Sequence, residues 1–173
     1  MDILIVVDMQ ADFVDGALGT KEAVAIVPKV VEKIKHFDGP IIVTYDTHGE
    51  NYLRTAEGKL LPVAHCVKGA PGWELNGQVE AALHGKRVTT VEKPTFGSVK
   101  LPEIVKNLSN GEDFSLELVG LCTDICVVSN ALLLKAHFPE VPICVDESCC
   151  AGVTPATHDA ALSTMRMCQI TVK

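Results

Sequence analysis

The chain has 173 residues, 47% of them hydrophobic, and a formal net charge of -7. That length supports one substantial core, so a single domain over residues 1–173 is expected. An acidic surface repels phosphate backbones, no run approaches the ~20 apolar residues of a membrane span, and dispersed charge at 21% argues against disorder. Nucleic-acid binding and membrane insertion are therefore not expected.

The predicted elements alternate in type along the chain. Ile3–Val7 is a compact apolar strand ending in Asp8. Val27, Val30, Val31 and Ile34 follow helical spacing, with Pro28 placed in the first turn. Ile41–Tyr45 is a second strand ending in Asp46, and Thr47–Gly72 is a long irregular stretch of the kind that usually carries function. Trp73–Leu83 reads as a helix, Arg87–Val91 as a strand followed by Lys93, Leu101–Leu108 as a helix and Phe114–Leu121 as a fourth strand. Thr123–Phe138 is a strong helix with Thr123 or Asp124 as its cap. Val141–Val145 is a fifth strand ending in Asp146. Thr154–Met167 is a helix with Thr154 as N-cap and Pro155 in the first helical position, and Gln169–Val172 is a sixth strand. Strands apolar on both faces, alternating with helices, imply an α/β fold in which a parallel sheet is covered on both sides, a doubly wound three-layer αβα sandwich.

Seven cysteines, an odd number set inside strand-like and helix-like text, do not suit a disulfide framework. Asp2 precedes the first apolar run without a basic region, so a signal peptide is not expected and a reducing cytoplasm is the simpler location. The neighbouring Cys149 and Cys150 read as buried small hydrophobes.

In a parallel sheet all strands end at one edge, where ligands bind. Asp8, Asp46, Lys93 and the Leu121–Cys126 segment fall at or just past strand ends and should converge there. Cys126 lies in the first turn of a predicted helix, where free N–H groups favour a thiolate and could hold an oxyanion. Asp8 could take the thiol proton, and Lys93 could keep that carboxylate ionised and aimed. Each residue also has a plainer reading: a buried structural cysteine, a turn aspartate and a surface lysine. Asp46 and His48, followed by Glu57 and His65, form a donor set that suits Zn²⁺, Mn²⁺ or Fe²⁺, although the loose spacing equally fits unconnected polar loop residues. His36, His84, His137 and His158 sit in helical text and read as surface or packing residues.

Six segments carry a resemblance: Val7-Asp-Met-Gln-Ala-Asp-Phe13, Asp46-Thr-His48, His65-Cys-Val-Lys-Gly69, Glu92-Lys-Pro-Thr-Phe96, Gly120-Leu-Cys-Thr-Asp-Ile-Cys-Val127 and His158-Asp-Ala-Ala-Leu162. Over essentially its whole length the chain resembles the nicotinamidase branch of the isochorismatase-like hydrolases. The resemblance implies a six-stranded sheet in the order 3-2-1-4-5-6 and a metal-containing cysteine amidohydrolase acting on a small-molecule amide. Nicotinamide, a step of NAD salvage, is the first substrate it implies. N-carbamoyl compounds or ureides are the alternative, and a non-catalytic binding domain on the same fold is a further one.

The same resemblance makes Cys126 the nucleophile, Asp8 the general base and later acid, and Lys93 the third member of the triad. It implies a cis Leu121–Cys122 peptide, with the amides of Cys122 and Cys126 forming an oxyanion hole. One divalent ion, zinc first, would be held by Asp46, His48, Glu57 and His65, and Phe13 and Phe96 would wall the substrate ring. Homo-oligomers are common among such relatives. Two departures stand out. Glu57 occupies a position where many relatives carry a second histidine, with Glu50 competing for it, and Leu60-Leu-Pro-Val-Ala-His65 lacks the Trp that often precedes the His-Cys-Val segment.

Overall fold

Six parallel strands in the order β3-β2-β1-β4-β5-β6 form one sheet in the computed structural model, which describes residues 1–173. The strands are β1 (Asp2–Val7), β2 (Ile41–Asp46), β3 (Val88–Lys93), β4 (Ser115–Leu121), β5 (Ile143–Ala151) and β6 (Thr171–Val172). The helices are α1 (Ala11–Val14), α2 (Lys21–His36), α3 (Ala56–Leu60), α4 (Gly77–Leu83), α5 (Leu101–Ser109), α6 (Val128–His137) and α7 (Pro155–Met167). Because side chains alternate along a strand, β1 sends Leu4 and Val6 to one core and Ile3, Ile5 and Val7 to the other. Residues of α1, α2 and α4 close the first core, and residues of α5, α6 and α7 close the second. The predicted α/β sandwich and its strand order are the observed ones.

Two ladder positions fix the functional edge. Val7 pairs with Thr44 on one side and with Gly120 on the other, and Asp46 pairs with Lys93. Gly120 has φ +115°, and a Cβ there would collide with the carbonyl oxygen of Val7. Only glycine lets β4 run this close to the end of β1.

Several element boundaries differ from expectation, each for a local reason. Helix α2 begins at Lys21 because the Thr20 hydroxyl accepts the Ala23 N–H at 3.0 Å. Pro28 therefore sits inside the helix, not in its first turn. It is on the exposed face, as is Val24, whose carbonyl loses its partner to the proline and can turn to water. Trp73 does not start a helix. It closes a short 3₁₀ turn at Pro71–Trp73, and Asn76 caps α4 by accepting the Gln78 N–H. The Thr47–Gly72 stretch is less irregular than expected, holding a 3₁₀ turn at Tyr52–Arg54 and α3, which Thr55 caps.

Further along the chain, Thr123–Val127 forms a wide turn in which the Val127 N–H reaches the Cys122 carbonyl at 3.0 Å, and α6 starts only at Val128. Neither Thr123 nor Asp124 caps the helix. Thr123 Oγ1 pairs with His158 Nδ1 at 2.8 Å, and the Asp124 carboxylate accepts the Val153 N–H. Strand β5 continues past Asp146 through Cys149 and Cys150, both buried and free. Helix α7 ends with Gln169 in the left-handed region (φ 63°), which shortens β6 to two residues.

Asp146 thus lies within a strand, away from the functional edge. Lys33 Nζ lies 2.7 Å from its Oδ2 and 2.6 Å from Glu117 Oε1, tying α2 to the sheet. Burial raises the Asp146 carboxyl, but the Lys33 hydrogen bond and charge prevail and hold it below the ordinary value of 3.8. A carboxylate lowered in this way contributes stability above pH 3.8 that is lost as pH falls through its lowered value. Lys33→Met should cost about 1–2 kcal/mol at neutral pH, between the figures for exposed and buried pairs. In urea unfolding across acid pH, the gap between wild type and variant should close as Asp146 protonates.

Candidate active site

Asp8 follows β1 in a left-handed conformation (φ 46°), which aspartate tolerates better than most residues. Its N–H donates to the Thr44 carbonyl and hydroxyl, both at 3.2 Å, and the Thr44 hydroxyl donates back to Asp8 Oδ1 at 2.6 Å. Lys93, the last residue of β3, places Nζ 2.6 Å from Asp8 Oδ2, 3.7 Å from Asp46 Oδ1 and 3.3 Å from Cys126 Sγ. The Lys93–Asp8 contact is a buried charge pair with no exposed side-chain surface on either partner. Asp8, Lys93 and Cys126 are all buried, and sequence-distant segments bring them into one group.

Burial sets the electrostatics of this group. It raises Asp8 above the ordinary aspartate value, against the opposing pull of the Lys93 charge. Burial, followed by the Asp8 charge, pushes the Cys126 thiol well above its usual value, so the resting sulfur is neutral. For Lys93 burial pulls down, but the negative charge of Asp8, with that of Asp46 beyond it, prevails and raises it, so it stays an ammonium.

The carboxylate and imidazoles of Asp46, His48 and His65 form a second, adjoining cluster whose candidate ligand atoms all lie within 4.8 Å of one another. Asp46 Oδ2 is 3.0 Å from His48 Nε2 and 3.5 Å from His65 Nε2. Glu57 Oε1 faces both imidazoles at 3.7 Å, whereas Glu50 is exposed on the surface. His65 Nδ1–H donates to the Val63 carbonyl at 2.8 Å, which turns Nε2 toward the carboxylates of Asp46 and Glu57. Burial raises Asp46, but the imidazole hydrogen bonds and the Lys93 charge prevail and hold it below the usual carboxylate range. A tetrahedral ion with bonds of about 2.0–2.1 Å sets its ligand atoms about 3.3 Å apart. The contacts of Asp46 with the two imidazoles, 3.0 and 3.5 Å, bracket that spacing, so the Asp–His–His group fits a divalent metal.

Both clusters border one cavity of about 650 Å³. Asp46, Glu57, His65, Leu121, Cys122 and Cys126 reach it, and the Leu121–Cys122 peptide is cis. Phe13 and Phe96 also line it, and the Phe13 ring lies 5.4 Å from that of His65. Trp73 stands elsewhere, its Nε1–H donating to Thr47 Oγ1 and its ring packed on Tyr45. Buried Tyr52 packs behind the imidazoles without lining the cavity, 4.7 Å from the His48 ring and 4.9 Å from the His65 ring.

The isochorismatase domain model matches residues 2–173. This chain belongs to the isochorismatase family. It is similar to the crystal structure of nicotinamidase/pyrazinamidase PncA from Bacillus subtilis, with 27% identity and a TM-score of 0.83 over 99% of this chain and 98% of that one. It is similar to pyrazinamidase of Pyrococcus horikoshii in complex with zinc, with 28% identity and a TM-score of 0.79 over 99% and 98%. A third similar structure is N-carbamoylsarcosine amidase from Thermoplasma acidophilum, with 26% identity and a TM-score of 0.75 over 99% and 95%.

Several supporting residues escaped the sequence reading because they act through backbone groups. Buried Gln10 grips the end of β2: its Oε1 accepts the Asp46 N–H at 2.8 Å, and its Nε2 donates to the carbonyls of Asp46 at 2.9 Å and Trp73 at 2.8 Å. Asn130 donates to the carbonyls of Cys126 and Phe96 and accepts the Ser98 N–H, linking the cysteine turn to the Phe96 loop. The available signal was a carboxamide in otherwise apolar text, which buried irregular backbone needs as a partner. Gln10→Met should strand the buried N–H and carbonyl of Asp46 and the half-buried Trp73 carbonyl and cost about 2–4 kcal/mol in urea unfolding.

Proposed function

We propose that this member of the isochorismatase family is a cysteine amidohydrolase with Cys126 as nucleophile, Asp8 as proton acceptor and donor, and Lys93 as the cation that serves both. The observation that carries this reading is a single buried ammonium, 2.6 Å from the Asp8 carboxylate and 3.3 Å from the Cys126 sulfur, where these groups meet an apolar cavity. A carboxyl raised by burial suits a group that must both take and return a proton.

In this mechanism Asp8 Oδ2 takes the Cys126 proton as the sulfur attacks the carboxamide carbon, while Lys93 stabilises the developing thiolate. The carbonyl oxygen becomes an oxyanion facing the N–H groups of Cys122 and Cys126. Asp8 then returns the proton to the nitrogen, the C–N bond breaks, and ammonia leaves a thioester on Cys126. Water adds to the thioester and gives its proton to Asp8. Collapse then releases the carboxylic acid and restores the thiol.

Asp46, His48, Glu57 and His65 would hold one divalent ion, zinc in the first instance. When bound, that ion would offer a Lewis-acid site for a ring-nitrogen lone pair. Phe13 and Phe96 would flank the ring. No lysine or arginine lines the cavity to pair with a carboxylate on a substrate. That charge pattern favours a neutral amide such as nicotinamide over an N-carbamoyl amino acid, which carries a carboxylate of its own.

Cys126→Ala should lower ammonia release from nicotinamide by at least about a thousandfold, with an unchanged circular dichroism spectrum. Wild-type turnover in that variant would remove Cys126 from the chemistry. Elemental analysis of purified protein should find one divalent ion per chain. His48→Ala and His65→Ala should each lower that content, whereas Glu50→Ala should not.

A further inference from the structure

The cavity is larger than a bare pyridine carboxamide requires. Its 650 Å³ falls within the roughly 300–1,000 Å³ typical of pockets for drug-sized ligands. Its chemistry is also divided. Asp46, Glu57, His65 and Cys126 present polar atoms where the two clusters meet it. Elsewhere the lining is mainly aliphatic or aromatic, with Thr20 and Thr95 among it, and part of it is open to solvent: Leu60 is 89% exposed, Val153 50%, Phe96 45% and Leu61 38%.

Isolated exposed apolar residues need no explanation, but four that line one cavity give it a largely apolar mouth. Leu60 and Leu61 lie at the C-terminal end of α3, in the segment that lacks a Trp, and the chain's one Trp packs away from the cavity. No indole fills the outer space, and no cation lines it to attract an anionic group.

Resting on the amidohydrolase reading above, we infer that the substrate class is neutral primary amides whose ring carries an apolar substituent long enough to reach this mouth. Leu60, Leu61, Phe96 and Val153 set that preference by removing the substituent from water. The unsubstituted ring occupies the inner part of the site and leaves the mouth wet.

The test uses wild-type protein with its metal and a series of pyridine carboxamides bearing hydrogen, methyl, propyl or phenyl meta to the carboxamide. Ammonia release should give kcat/KM values that rise about three- to fourfold for each methylene buried. Leu60→Ser and Val153→Ser should each lower the ratio of kcat/KM for the phenyl compound over the parent. A flat or falling series, or an unchanged ratio in both variants, overturns the inference. If no member releases ammonia, the amidohydrolase reading fails, and calorimetric titration of the same series into Cys126→Ala decides the inference separately. Affinity rising along the series supports the apolar mouth as a binding determinant, and affinity without a trend overturns it.

Discussion

The ammonium of Lys93 is the constraint around which the candidate site is arranged. Its side chain has no exposed surface, and a charge so buried costs several kcal/mol unless anions or strong acceptors surround it. Here Asp8, Asp46 and the Cys126 sulfur lie within 3.7 Å of Nζ, and they come from the ends of β1 and β2 and from the turn after β4. One cation therefore sits between the thiol–carboxylate pair and the Asp–His–His cluster. Removing either carboxylate would leave the ammonium under-compensated, so the two clusters are electrostatically a single unit.

Rigidity at this edge comes from side chains that hold backbone. Thr44 exchanges hydrogen bonds with Asp8, Gln10 clamps Asp46, and Asn130 joins the cysteine turn to the loop that carries Phe96. His158 and Asp124 add a second tether, from the cysteine turn to the start of α7 and the residues before it. A reacting constellation is useful only when its supporting groups fix it to within a fraction of an ångström. These residues supply that support without touching the thiol.

The convergence of Asp8, Asp46, Lys93 and Cys126 was legible in the sequence because a parallel sheet brings strand ends to one edge, whatever their separation along the chain. Turn chemistry was less legible. The wide turn at Thr123–Val127 has no composition signature, so Thr123 and Asp124 read as helix caps when they are tethers. Thr20 and Thr55 cap helices that hydrophobic spacing placed too late or passed over. Gln10 and Asn130 stayed hidden because a carboxamide bonding to carbonyls leaves no spacing pattern. Tyr52 was hidden too, since its place beside two imidazoles depends on how the Thr47–Gly72 segment folds back.

The ladder pairing of Asp46 with Lys93 has a consequence for how such a chain can change in length. Strand residues alternate between faces, so inserting or deleting one residue within β2 or β3 would turn one member of that pair to the opposite side of the sheet. The charged cluster would then be divided by a layer of backbone. Lineages that keep this chemistry must confine gains and losses of residues to connections such as the one between α4 and β3, where a change of length leaves strand phase untouched.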